Sequence, residues 1–143
     1  MVSSDPMLCK GHGLNLVLGH VGTTAAEYTA QALPGCICEA LRNLTSLQDG
    51  LDPNNNGGYQ DRISRLLHDE IEKFDRGIGE AVLALCKKPK KLTEAQARDL
   101  IQAHSEVLSR AYHGTTLTIA LVNRAQDAMW LAGVGDSTVG EWK

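Results

Sequence analysis

The residues of this chain best placed for chemistry begin with Gly19 and His20, which follow the apolar run LNLVL at residues 14 to 18 and lead into a stretch of helical spacing. The junction of a strand and a helix is a common seat for a metal-dependent centre, because regular elements there hold a short exposed connection in place. Hard divalent ions require oxygen donors, and the residue before Gly19 is Leu18, which offers none from its side chain. The other candidates have simpler explanations. Cys36 and Cys38 form a C-x-C rather than a C-x-x-C pair, and on a helix their side chains diverge, so with Cys9 and Cys86 they are expected as reduced structural thiols. His104 falls on a helical apolar stripe and is expected to be hydrogen-bonded and partly buried. The basic run KKPKK at residues 87 to 91 reads as a solvated linker around Pro89.

These residues need elements to position them. LNLVL has the length of a buried strand. Thr24 and Glu27 have the spacing of a capping box and predict a helix start, and Ala25, Tyr28, Ala32 and Leu33 form its stripe. Pro34 predicts a kink or a fresh start before Ile37, Ala40, Leu41 and Leu44 resume the pattern. Residues 49 to 59, DGLDPNNNGGY, are dense in turn formers and predict an exposed loop. From Gln60 the positions Ile63, Leu66, Leu67, Ile71, Phe74, Ile78, Val82 and Leu85 predict a long amphipathic helix. Asp61 with Arg65, Asp69 with Lys73 and Glu72 with Arg76 are spaced for ion pairs on its outer face. Thr93 and Gln96 predict a second capping box, ahead of a stripe of Ala97, Leu100, Ile101, Val107, Leu108 and Ala111. After Gly114 the runs LTIALV (117 to 122) and AMWLAGV (128 to 134), joined by NRAQD, predict a β-hairpin. Their low polarity predicts cover on both faces. The end, GDSTVGEWK, reads as a turn into a further short strand.

At 143 residues, 43% of them hydrophobic and 22% charged, the chain fits one folded domain spanning residues 1–143. A net charge of −3 argues against nucleic acid as a partner, since that affinity rests on basic groups meeting phosphates. No apolar run has the length of a bilayer span, and the start MVSSDPMLCK lacks the layout of a secretory signal. No membrane association is expected, and the expected location is cytoplasmic.

Taken together, GHVGTTAAEY (19 to 28), YHGTTLTIALV (112 to 122) and MWLAGVGDSTVG (129 to 140) resemble the protein phosphatase 2C family, the PPM-type metal-dependent serine/threonine phosphatases. The order carries the likeness: a Gly-His pair before a helix, a Gly-Thr-Thr strand, then a strand running into Gly-Asp-Ser. It extends from about residue 14 to residue 143, with a variable helical middle. Gly11-His12-Gly13 is a decoy, because the TAAEY helix does not follow it at the proper distance. The resemblance implies an α+β fold, a partial protein phosphatase 2C-like domain with long antiparallel helices packed on a small antiparallel sheet.

The resemblance also implies a two-metal centre of magnesium or manganese, where a bridging water attacks phosphorus and a histidine protonates the leaving oxygen. Residue by residue, His20 matches the proposed general acid, Gly19 the glycine whose carbonyl serves a metal, and Asp136 the aspartate of an accessory metal. Leu18 stands where the family has the aspartate that bridges both ions, and Val21 replaces a usual small residue. The family's early arginine and glutamate have no counterpart in MVSSDPMLCKGHG, and its late aspartates would fall beyond Lys143. A truncated, catalytically inactive relative, a pseudophosphatase with no cofactor, is therefore expected. It would act through binding a protein partner or through self-association, as a homodimer that covers apolar faces left open by a half-sandwich. The competing expectation is an active magnesium- or manganese-dependent protein serine/threonine phosphatase, as a fragment or with ligands supplied by an assembly.

Overall fold

A computed structural model describes residues 2–3, 7–9, 12–20, 23–46, 56–124 and 127–136. The described chain is α+β. Three strands come first: β1 (Val2–Ser3), β2 (Met7–Cys9) and β3 (His12–His20). Two long helices follow, α1 (Thr23–Ser46) and α2 (Asn56–Leu85), then a 3₁₀ turn at Pro89–Lys91 and the shorter helices α3 (Glu94–Ala103) and α4 (Ser105–Tyr112). The hairpin β4 (Thr115–Asn123) and β5 (Ala128–Val134) closes the order.

All the strand pairings are antiparallel. β4 is central, with β3 on one side and β5 on the other. β1 and β2 lie end to end along the other edge of β3, pairing Val2 with Leu18 and Met7 with Leu14. The predicted strand at 14 to 18 is thus the middle of a nine-residue strand that begins at the decoy histidine, His12. The two N-terminal strands were not predicted, since segments of two and three residues are too short for a period-2 pattern to register.

The helices cover one face of the sheet. Along α1 the buried positions Ala26, Ala30, Leu33, Ile37 and Leu41 recur at steps of three and four, the spacing that keeps one stripe against a neighbour. They meet Ile63 and Leu67 of α2, Leu117, Ile119 and Leu121 of β4, and Trp130 of β5 in a single core. Pro34 is buried inside α1, which runs without a break. Proline lacks the N–H that would reach the carbonyl four residues back; burial of Leu33 and Ile37 on either side holds the helix through that gap. The predicted Thr24 cap is corrected, because Thr24 is already the second residue of α1. Inside the helix, Thr29 satisfies its own hydroxyl by donating to the Ala25 carbonyl at 2.8 Å.

The predicted helix after Gln60 starts earlier, at Asn56, so residues 56–59 leave the expected loop; its remainder, 49–55, lies outside the described residues. Only Ile63 and Leu67 of its stripe are fully buried, because the second half of α2 has less of the fold beside it. Lys73 pairs with Glu70 at 3.3 Å rather than with Asp69. Among the described residues, no ion pair joins Asp61 to Arg65 or Glu72 to Arg76. Tyr59, near the start of α2, packs edge-on against Trp130 with ring centroids 6.2 Å apart. Burial raises its phenol pKa above the ordinary value. The unfolded chain therefore ionises this group first as pH rises, and this contribution is intact below the ordinary tyrosine range and lost as pH climbs through the folded value. Urea midpoints of Tyr59→Phe should accordingly fall less steeply above about pH 10 than those of the parent chain.

The capping box at the head of α3 forms as predicted. The Gln96 N–H donates to Thr93 Oγ1 at 3.3 Å, and the Thr93 N–H donates to Gln96 Oε1 at 3.0 Å. The stripe that follows is not one helix. His104, with φ −127° and ψ 29°, closes α3 and opens α4. It is exposed and makes no side-chain cap bond, which corrects the expectation of a hydrogen-bonded, partly buried histidine. Ile101 is 58% exposed for the same reason, since the break turns its side of the stripe outward. The cysteines also need a correction: Cys38, buried on α1, is disulfide-bonded, while Cys36 and Cys86 are free thiols. The expectation rested on compartment rather than contacts. Among the described residues, no helix is long and apolar enough to cross a membrane.

Candidate functional site

The family-matching residues gather at one end of the sheet. Gly19 and His20 close β3, facing Thr116 and Thr115 of β4. Asp136 follows β5 directly, after Gly135, and is exposed. Gly135 has φ +89°, and a Cβ placed on it would lie 2.7 Å from the Thr116 Cγ2. A side chain is thus disfavoured twice, by the left-handed backbone and by Thr116. Gly19, Thr116 and Gly135 consequently line up across three neighbouring strands, spanning about 10 Å at the usual strand spacing.

The next row inward holds Leu18, Leu117 and Val134. Its central member, Leu117, is buried in the core. This row is aliphatic throughout, so none of its side chains offers the oxygen that hard dications take. Among the described residues, no three His, Cys, Asp or Glu side chains come together in a cluster that could hold an ion. Val21 and Ser137 lie outside the described residues, as does the further strand expected after residue 136.

Next to this end, α4 delivers the chain into β4 through His113 and Gly114. Arg110 sets its guanidinium over the Tyr28 ring, 4.0 Å from the centroid, and Tyr28 stacks on Phe74 at 5.4 Å. The other side of the Arg110 fork is paired with Glu106. This column of α4, α1 and α2 braces the helix that starts behind Gly19-His20. Stripe periodicity marks Tyr28 and Phe74 as inward residues but gives no sign of Arg110, whose partner is far off in sequence. Arg110 Nε and His113 Nδ1 are buried without a hydrogen-bond partner among the described residues.

A separate shallow cleft of about 150 Å³ lies along the helix pair, lined by Cys36, Glu39 and Asn43 of α1 and by Glu70 and Lys73 of α2. The Lys73–Glu70 pair occupies its polar side. More than three helical turns separate Cys36 from the start of α1, so this cleft is distinct from the strand ends.

Comparison with protein-family models, curated proteins and solved structures found no match to this chain. The arrangement of its own residues therefore has to carry the functional argument.

Proposed function

We propose that this chain is a catalytically silent relative of the protein phosphatase 2C type, a pseudophosphatase that works by binding and self-association. The likeness is supported by the order of the parts: a strand ending in Gly19-His20, a long helix pair, then a hairpin whose far strand runs into Gly135-Asp136. The loss of chemistry is carried by one observation, the leucine at position 18 in the row beside Gly19. Losing groups that merely support a metal ligand weakens affinity or activity about 10- to 100-fold, and exchanging a bridging carboxylate for an isobutyl group removes charge from both ions at once. His20 on this reading is a strand-end residue rather than an acid.

Calorimetric titration with manganese chloride, paired with a phosphatase assay on the same preparation, tests the proposal. The expected result is no two-site binding and no metal-dependent hydrolysis of a phosphorylated peptide. Tight binding at two sites, with turnover abolished in His20→Ala, would overturn it in favour of an active magnesium- or manganese-dependent phosphatase.

A further inference from the structure

Cys38 is buried on α1, with 3% of its surface exposed, and is disulfide-bonded. The chain contains four cysteines. Cys36 and Cys86 are free thiols, which leaves Cys9, the last residue of β2, as the partner. Geometry excludes Cys36 as well, because residues two apart on a helix point about 200° from each other, too divergent for a disulfide.

The backbone brings both positions to the same end of the fold. α1 starts at Thr23, just after β3 ends at His20, and packs against β3 and β1, so it runs back along the strand. From Thr23 to Cys38 the helix advances about 22 Å, and from His20 back to His12 the strand covers about 27 Å. Cys9 stands directly across the ladder from His12, so the two cysteines share the end of the sheet away from Gly19. We infer that a Cys9–Cys38 disulfide staples β2 to α1 and makes the hold of the N-terminal strands on the sheet depend on redox conditions.

Those strands need such a tie. β1 and β2 contribute two and three residues, and among the described residues they pair with β3 alone. A ladder of that size is marginal by itself. Closing the bond takes one proton and one electron from each thiol and passes them to an oxidant of the disulfide class, which becomes a dithiol; a dithiol reductant reverses the exchange. Because Cys38 is buried, the reductant reaches the bond slowly while the chain is folded. The staple closes a loop of about 30 residues, and bonds of this kind raise the folding equilibrium constant roughly 30- to 1,000-fold.

Thiol titration of the intact chain, purified without reductant, tests this. Unfolded in guanidinium, the protein is expected to show two reactive thiols, and four after dithiothreitol. A peptide map of the unreduced protein should recover Cys9 linked to Cys38. Dithiothreitol should lower the urea midpoint of the parent and quicken amide hydrogen exchange over residues 12 to 18, while leaving the midpoint of Cys9→Ala unmoved. Four thiols before reduction, a map that links Cys38 to another cysteine, exchange over 12 to 18 that ignores reduction, or a reductant effect that persists in Cys9→Ala would each overturn the inference. Should Cys9→Ala fail to fold, the thiol count and the map of the parent decide alone. None of these readouts follows turnover or metal binding, so the staple stands or falls separately from the pseudophosphatase reading.

Discussion

Replacing Ile119 with alanine should lower the free energy of unfolding by about 2–5 kcal/mol, read as a shift in the urea midpoint at constant slope. Ile119 has no exposed surface and sits at the middle of the central strand, with helices over it and paired strands on both sides. The truncation deletes buried methyl groups and leaves a cavity that a residue held in two ladders cannot close. Because domains of this kind are stable by only about 5–15 kcal/mol, the variant is expected near the edge of folding at physiological temperature. Ile101 provides the contrast. The same side chain, 58% exposed on α3, should change stability by no more than about 0.5 kcal/mol when cut to alanine.

The second large effect is expected at Gly135. Gly135→Ala forces a Cβ into a backbone with φ +89° and within 2.7 Å of the Thr116 Cγ2, and strain of this kind costs about 1–3 kcal/mol. The double variant with Thr116→Ser removes that methyl and should recover part of the loss. The remainder should persist, because the dihedral is unchanged and serine keeps the Cβ that stands 3.2 Å away. Additive losses in the urea experiment would show that the two residues do not press on each other. The same glycine follows the last residue of β5 and precedes Asp136, so its strain is also a probe of how firmly that end of the sheet is held.

Much of this architecture is legible in the residues. The period of Ile63, Leu67, Ile71 and Phe74 announces α2, the Thr93–Gln96 spacing announces the cap of α3, and the turn between two β-prone runs announces the hairpin. What escaped has identifiable causes. His104 interrupts a stripe whose apolar pattern continues past it, so the break into two helices leaves no trace in spacing. In AMWLAGV both alternating sets are apolar, and period alone cannot say which set meets the helices; only the packing of Trp130 against Tyr59 decides it. Pro34 predicts a break that tertiary packing overrides. At the candidate site, Gly19 and His20 end β3 and Asp136 lies two residues past the end of β5; their expected roles come from the resemblance alone. The brace of Arg110 on Tyr28 had no local signature, because it joins elements some eighty positions apart.

The central ladder pairs His12 with Asn123 and His20 with Thr115, so roughly a hundred residues separate the partners, a topology that slows folding. During synthesis from the N-terminus, β3 is made close after β1 and β2, but its partner β4 follows only once the whole helical middle has been made. The helices can form from nearby contacts in that interval, whereas the sheet must wait for β4. Each doubling of such a loop adds only about 0.6 kcal/mol. The delay thus weighs on the time needed to reach the native state far more than on its final stability, and it leaves the β4 edge of an apolar strand without its partner while the chain is being made.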